Sequence, residues 1–182
     1  SDFREAQKGA GRLAFWDKLW REVFVILGCY QAPFHSYLTL LGLETLSLRM
    51  EKHFKNALAL GKFLEAHPKV SWVNYPGLSS SRFHRTAKRL FSGKGYGGLL
   101  CFGLKSQKHC FKFINNLKLC YNLANLGDTK TLVIHPYSTQ YVSFSEKEKA
   151  ELGIKQELVR VSVGIEDIED IIDDFEQALR KL

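Results

Sequence analysis

Between Leu158 and Ile165 the side chains alternate. Val159, Val161, Val163 and Ile165 fall on one side of an extended chain, and Leu158, Arg160 and Ser162 on the other. A period of two rich in β-branched residues predicts a strand with one buried face. Arg160 stands in the middle of the opposite face. A charge there is ordinarily solvated, but a guanidinium also offers a fixed fork that matches a carboxylate or phosphate. Beyond this strand the period changes. Ile168, Ile171, Ile172, Phe175 and Leu179 make an amphipathic helix with acids at its start and Arg180-Lys181 at its end, as the helix dipole favours.

Upstream, Phe15, Trp16, Leu19, Trp20, Val23, Phe24, Ile26 and Leu27 recur at helical spacing. This broad aromatic face suits either a core or an interface. Residues 1–14 are polar with Gly9 and Gly11 and read as a flexible lead-in. Gly28 interrupts the pattern, and Ala32-Pro33 suits a new helix start. The spacing then predicts one long helix from about Phe34 to His67, with Leu43, Leu46, Met50, Ala57, Leu60 and Leu64 on its stripe, a Glu51–Lys55 pair, and Pro68 as its stop. His53 falls among polar neighbours and is expected on the solvated surface. Short strands are expected at Val70–Tyr75, Leu99–Leu104, Leu119–Leu126 and Leu132–Ile134, with basic helix through Leu90 and apolar helix around Ser106–Leu117 between them. Ser145 with Glu148 predicts a capped short helix ending at Gly153. Interleaved helices and short strands give an α+β class, a mostly antiparallel sheet covered by helices and preceded by a long linking helix.

A chain of 182 residues suffices for one domain with a sizeable core. Its 45% hydrophobic and 25% charged residues are globular values. No apolar run approaches the roughly 18 residues of a membrane span, and no signal-peptide layout opens the chain, so the expected location is cytoplasmic. The chain opens on Ser1 and its only methionine is Met50, so Ser1 reads as a processing or cloning boundary. Cys29, Cys101, Cys110 and Cys120 lack paired close spacing; they read as reduced core thiols, and no metal site is expected. The net charge of +7 is unevenly spread: no acid occurs from Ala66 to Gly127, and acids dominate from Phe144 to Glu176. Such asymmetry can mark nucleic-acid or anion binding, but no nucleic-acid motif accompanies it. A non-catalytic anion- or nucleic-acid-binding module is the alternative from another class. Gly93-Lys94-Gly95-Tyr96-Gly97-Gly98 lacks the GxxxxGK[ST] layout of a phosphate loop and enters an apolar strand, so it reads as a turn with close backbone packing.

Four stretches together carry a resemblance. They are Leu-Gly-Leu-Glu-Thr-Leu-Ser-Leu-Arg-Met-Glu-Lys-His (41–53), Val-Asn-Tyr-Pro-Gly (73–77), Leu-Gly-Asp-Thr-Lys-Thr-Leu-Val-Ile-His-Pro (126–136) and Arg-Val-Ser-Val-Gly-Ile-Glu-Asp (160–167). In that order, from about Phe15 onward, the chain resembles the cystathionine γ-synthase-like, pyridoxal-phosphate-dependent enzymes of Cys/Met metabolism. With Asn125 before Leu126-Gly127 it is most similar to the O-acetylhomoserine sulfhydrylase branch; the cystathionine γ-synthase and γ-lyase branches are the nearer alternatives. The resemblance implies the small C-terminal domain of a fold-type I transferase over 34–182. Residues 1–33 would link it to a large cofactor-binding domain upstream, in a homo-oligomer that is a tetramer in the family. It implies γ-replacement of acetate by sulfide or a thiol, giving homocysteine or methionine. Arg160 would bind the α-carboxylate of the amino-acid substrate, with Asn125 and Leu126 lining the same strip. The family's cofactor-bearing Lys lies in a Ser-x-Thr-Lys motif. Here Thr129-Lys130 with His135 imitates it, but Gly127, Ile134 and Pro136 depart from the pattern. So no catalytic or cofactor-binding residue is expected in this chain, and the isolated chain is expected to be inactive. After His135-Pro136 the family reads Ala-Ser-Thr-Thr-His, whereas Tyr137-Ser138-Thr139-Gln140-Tyr141 stands here. The contacts that orient the arginine are therefore in question.

Overall fold

A computed structural model describes residue 8 and residues 11–182. The rest of the expected flexible lead-in lies outside the described residues. The chain divides into two compact units, one ending at Glu44 and one running Thr45–Leu182.

In the first unit a 3₁₀ turn (Gly11–Leu13) leads into α1 (Ala14–Lys18). The helix continues through a wider π segment (Leu19–Phe24) into α2 (Val25–Leu27), with right-handed helical dihedrals at both junctions. The expected helix over 15–27 is present. Along it Trp16 meets Trp20 at a tilt, 5.8 Å between centroids, and Trp20 stacks on Phe24 at 4.7 Å. Gly28, at φ 59°, ends it in the left-handed conformation that glycine adopts most cheaply. Cys29, in the link that follows, is exposed rather than a core thiol. Pro33 opens α3 (Pro33–Glu44).

The single long helix expected from Phe34 to His67 is interrupted. Thr45 adopts φ −104° and ψ 3°, and α4 (Leu46–Ala66) starts anew from it. The apolar spacing runs on across the break, so the pattern carries no sign of it. Only the second half of the stripe is buried: Ala57, Leu60 and Leu64 are in the core, while Leu43 and Leu46 are exposed. Before Pro68, His67 turns extended and closes the helix.

The second unit holds a five-stranded sheet in the order β1-β2-β5-β4-β3. Its strands are β1 (Trp72–Asn74), β2 (Leu99–Gly103), β3 (Tyr121–Asn122), β4 (Leu132–Ile134) and β5 (Leu158–Ser162). All pairings are antiparallel except β3 with β4. The remaining helices are α5 (His84–Leu90), α6 (Gln107–Ile114), α7 (Glu146–Glu151) and α8 (Ile168–Arg180). The class is thus mixed α and β with a mostly antiparallel sheet, as the pattern implied. Much of the strand expected over Leu119–Leu126 is irregular.

Register explains the layering. Phe102 pairs with Val159, and Leu100 and Val133 both pair with Val161, so these side chains share one face. Against that face pack Leu60 and Leu64 of α4, Phe113 of α6, and Ile171 and Phe175 of α8. Phe102, Phe113 and Phe175 meet edge-on or tilted, with centroids 5.2–6.2 Å apart, the spacing that aromatic pairs favour. Each ring buried there stabilises by about 1.5–3 kcal/mol. Asp167 caps α8 by accepting from the Glu169 N–H at 2.9 Å. At the other end Lys69 donates to the Leu179 and Arg180 carbonyls at 3.0 and 3.1 Å, satisfying orphaned acceptors at the negative pole. Ser145 and Glu148 form the expected reciprocal capping box of α7.

Candidate functional site

The opposite face of β5 carries Leu158, Arg160 and Ser162. That face is not open to solvent as expected: Leu158 and Ser162 are also buried. The Pro136–Ser138 turn packs on β5, and the Gly127 N–H donates to Ser162 Oγ at 3.2 Å. Arg160 lies between these two covers and is half-buried, with Cys101 and Ile134 as its cross-strand neighbours.

The guanidinium is held on two sides. Nη1 donates to Gln140 Oε1 at 3.0 Å, and Nη2 donates to the Asn125 carbonyl at 3.2 Å. Nε is buried and has no hydrogen-bond partner. Each terminal nitrogen carries two hydrogens, so three N–H groups remain uncommitted around one fixed cation. An orphaned buried donor is costly, and a fork with spare donors matches a carboxylate. The cation also acts on its neighbour. Burial pushes the Cys101 thiol up to about 11, with Arg160 pulling the other way. Burial likewise lifts Cys110 to about 12 and raises Cys120. These three thiols are protonated at neutral pH and are poor nucleophiles.

The residues expected beside Arg160 are brought to it in part. Asn125 reaches it through its backbone carbonyl, while its side-chain Oδ1 accepts the Leu126 N–H at 2.8 Å. Leu126 points away from full burial, at 59% exposure. It lines a cavity of ≈ 150 Å³ with Met50, His53, Leu99 and Val163. The turn that follows is bolted to the far end of β5. Ile165 N–H donates to the Thr129 carbonyl, Gly164 N–H to Thr131 Oγ1, and the Thr131 N–H and hydroxyl to Glu166, at 2.6–2.9 Å. Lys130, the imitation of a cofactor lysine, is exposed, with Nζ 5.1 Å from the Tyr121 ring centroid.

Two side chains escaped the pattern. His53 is buried, not solvated. Its Nδ1–H donates to the Val163 carbonyl at 2.6 Å, and Asn56 Nδ2 donates to the Gly164 and Glu166 carbonyls at 3.1 and 2.8 Å. Helix α4 thus clamps the end of the Arg160 strand, a long-range contact with no local signal. Gln140 was visible only as a departure from the family's run after His-Pro; the structure places it on the guanidinium.

In the 93–98 run a Cβ on Gly95 would overlap the Phe54 ring, while Gly93 and Gly97 adopt positive φ, as turn glycines do. No group of three or more His, Cys, Asp or Glu among the described residues could hold a metal ion. No helix among them is long and apolar enough to cross a membrane.

The sequence model of the Cys/Met metabolism PLP-dependent enzymes matches residues 10–180. The chain belongs to that family. It is 48% identical over 179 residues to the homocysteine/cysteine synthase of Saccharomyces cerevisiae, a match covering 92% of this chain and 40% of that protein. Its fold superposes with a TM-score of 0.85 on a Campylobacter jejuni protein solved with N′-pyridoxyl-lysine-5′-monophosphate, at 38% identity, covering 91% of this chain and 39% of the other. For an O-acetylhomoserine sulfhydrylase of Wolinella succinogenes the TM-score is 0.74, at 37% identity, covering 97% and 47%. The chain spans about 40% of the length of the curated relatives it matches.

Proposed function

We propose that this chain is the substrate-facing part of a pyridoxal-phosphate-dependent O-acetylhomoserine sulfhydrylase, which replaces the acetate of O-acetylhomoserine by sulfide or a thiol to give homocysteine or methionine. In this reading residues 34–182 are the small C-terminal domain of a fold-type I transferase. Residues 1–33 join it to a large domain that holds the cofactor, in a cytoplasmic homo-oligomer. Membership of the family and the names of its relatives support the reaction. The observation that carries the site is the fixed Arg160 guanidinium with its orphaned Nε.

The cofactor, when bound, supplies the electron sink. The work of this chain is binding and orientation. Arg160 takes the α-carboxylate of the amino acid through its uncommitted N–H groups. The Asn125 carbonyl holds one terminal nitrogen of the fork, and Leu126 covers the strip beside it. Anchoring the carboxylate fixes the approach of the substrate's Cα, which converts binding energy into orientation.

The test is Arg160→Lys and Arg160→Ala in the full-length protein. Lysine keeps the charge and loses the fork; alanine loses both. Removing a charge-assisted contact of about 1.5–3 kcal/mol lowers kcat/KM for O-acetylhomoserine roughly ten- to a hundredfold. The bound-cofactor absorbance stays, because Arg160 serves the substrate alone. Near-normal kcat/KM in the alanine variant, or loss of the cofactor band, overturns the assignment.

A further inference from the structure

Gln140 holds the arginine fork through only one end of its amide. Arginine has donors and no acceptor, so the atom that faces Nη1 must be the oxygen, Oε1, at 3.0 Å. That fixes the other end. The amide is planar, so Nε2 with its two N–H groups points away from the nitrogen that Oε1 engages. Among the described residues no hydrogen bond uses Gln140 Nε2, and the side chain is exposed. Its donors are therefore held beside the guanidinium, by the guanidinium itself.

We infer that Gln140 is a positioning residue for the substrate carboxylate and a second donor to it, a role that rests on the carboxylate-binding reading of Arg160. Two consequences of the geometry separate it from a residue that merely packs. The guanidinium would otherwise be steadied only by the Asn125 carbonyl, one acceptor on one terminal nitrogen, about which the fork can swing. A neutral amide steadies it without neutralising it, whereas a carboxylate at the same position would compete with the substrate for the cation. A site built to bind an anion beside an arginine thus gains from glutamine, and not from glutamate, at position 140.

Gln140→Ala and Gln140→Glu in the full-length protein test this, beside Arg160→Ala. Alanine removes a hydrogen bond and a donor. KM for O-acetylhomoserine is expected to rise roughly three- to tenfold, with kcat within about twofold. Glutamate keeps an acceptor for Nη1, so a purely structural role leaves Gln140→Glu close to wild type. The inference expects instead a KM rise of roughly tenfold or more, since like charges face each other. It further expects that this penalty disappears for the α-carboxamide of the same amino acid, measured as a competitive inhibitor. If Arg160→Ala leaves KM unchanged, the carboxylate reading itself fails. If Arg160→Ala weakens binding but both Gln140 variants match wild type, only the role of Gln140 fails. Equal losses for carboxylate and carboxamide in Gln140→Glu also overturn it.

Discussion

Asp174 carries its charge in a place with little solvent, at 5% exposure on the inner side of α8. Burial pushes its carboxyl upward, but the amides of Cys120, Lys118 and Leu119 and the side chain of Gln177 outweigh that and leave its pKa below the ordinary value. The three amides donate at 2.8–3.0 Å and fix the segment that enters β3. A depressed carboxylate contributes stability above its unfolded pKa of about 3.9 and loses it as pH falls through the lower folded value. Asp174→Asn is therefore expected to cost about 1.5–3 kcal/mol at pH 7 in urea unfolding. The cost should shrink on acidification below about pH 4; a pH-independent cost would refute the charge's part in it. In the sequence Asp174 is one acid among many on an acidic helix, and nothing local marks it as buried. His53 hid in the same way, because polar residues that bond to distant backbone resemble polar residues that bond to water. Arg160 was legible through the motif around it. Gln140 was not: its chemistry lies in the partner that β5 presents, twenty residues along the chain.

At the scale of elements, β5 is held by its neighbours β2 and β4 and also by the turn at its end. Gly164 lies where that turn crosses the 127–131 loop. A Cβ there would overlap the Glu166 carboxylate and the backbone of Thr129 and Lys130. Backbone cannot yield as a flexible side chain can, so Gly164→Ala is expected to destabilise by about 1–3 kcal/mol, as overpacked sites do. The strain falls where Thr131 and Ile165 bond across, so their amides should lose protection in hydrogen exchange before those of β2. Unchanged stability with intact protection at Thr131 would show that the loop is not bolted there. Elements governed by local chemistry were readable in advance: the β-branched alternation of β5, the capping box of α7, the amphipathic stripe of α8 and the stop at Pro68. The pattern failed at two places. The break at Thr45 leaves the apolar spacing untouched. The residues after Asn122 look like strand material, but they bond to β5 and Arg160 through turns rather than through a ladder.

At the scale of the molecule, the first unit is a set of helices with little of its apolar surface covered. Val25, Ile26, Leu27 and Phe34 are each 65–74% exposed, and Phe15, Trp16, Trp20, Tyr37 and Leu40 are also open. So many large apolar side chains left open on one short run of helix exceed what soluble monomers ordinarily leave bare. The proposal that residues 1–33 join a larger domain gives that surface a partner. In the 182-residue chain alone the same surface should find itself, and self-association through α1–α2 is the expected result. Light scattering should show a mass that climbs with protein concentration. Trp16 and Trp20 should become less accessible to iodide over the same range, measured in a Trp72→Phe background so that the tryptophan of β1 does not contribute. The association should strengthen with sulfate, which favours apolar burial, and Ile26→Glu should abolish it while leaving the core formed by β2, β5 and α8 intact by circular dichroism. A chain that stays a monodisperse monomer at high concentration, with both tryptophans readily quenched, would mean that this face needs no cover and that the link to a partner domain has been misplaced.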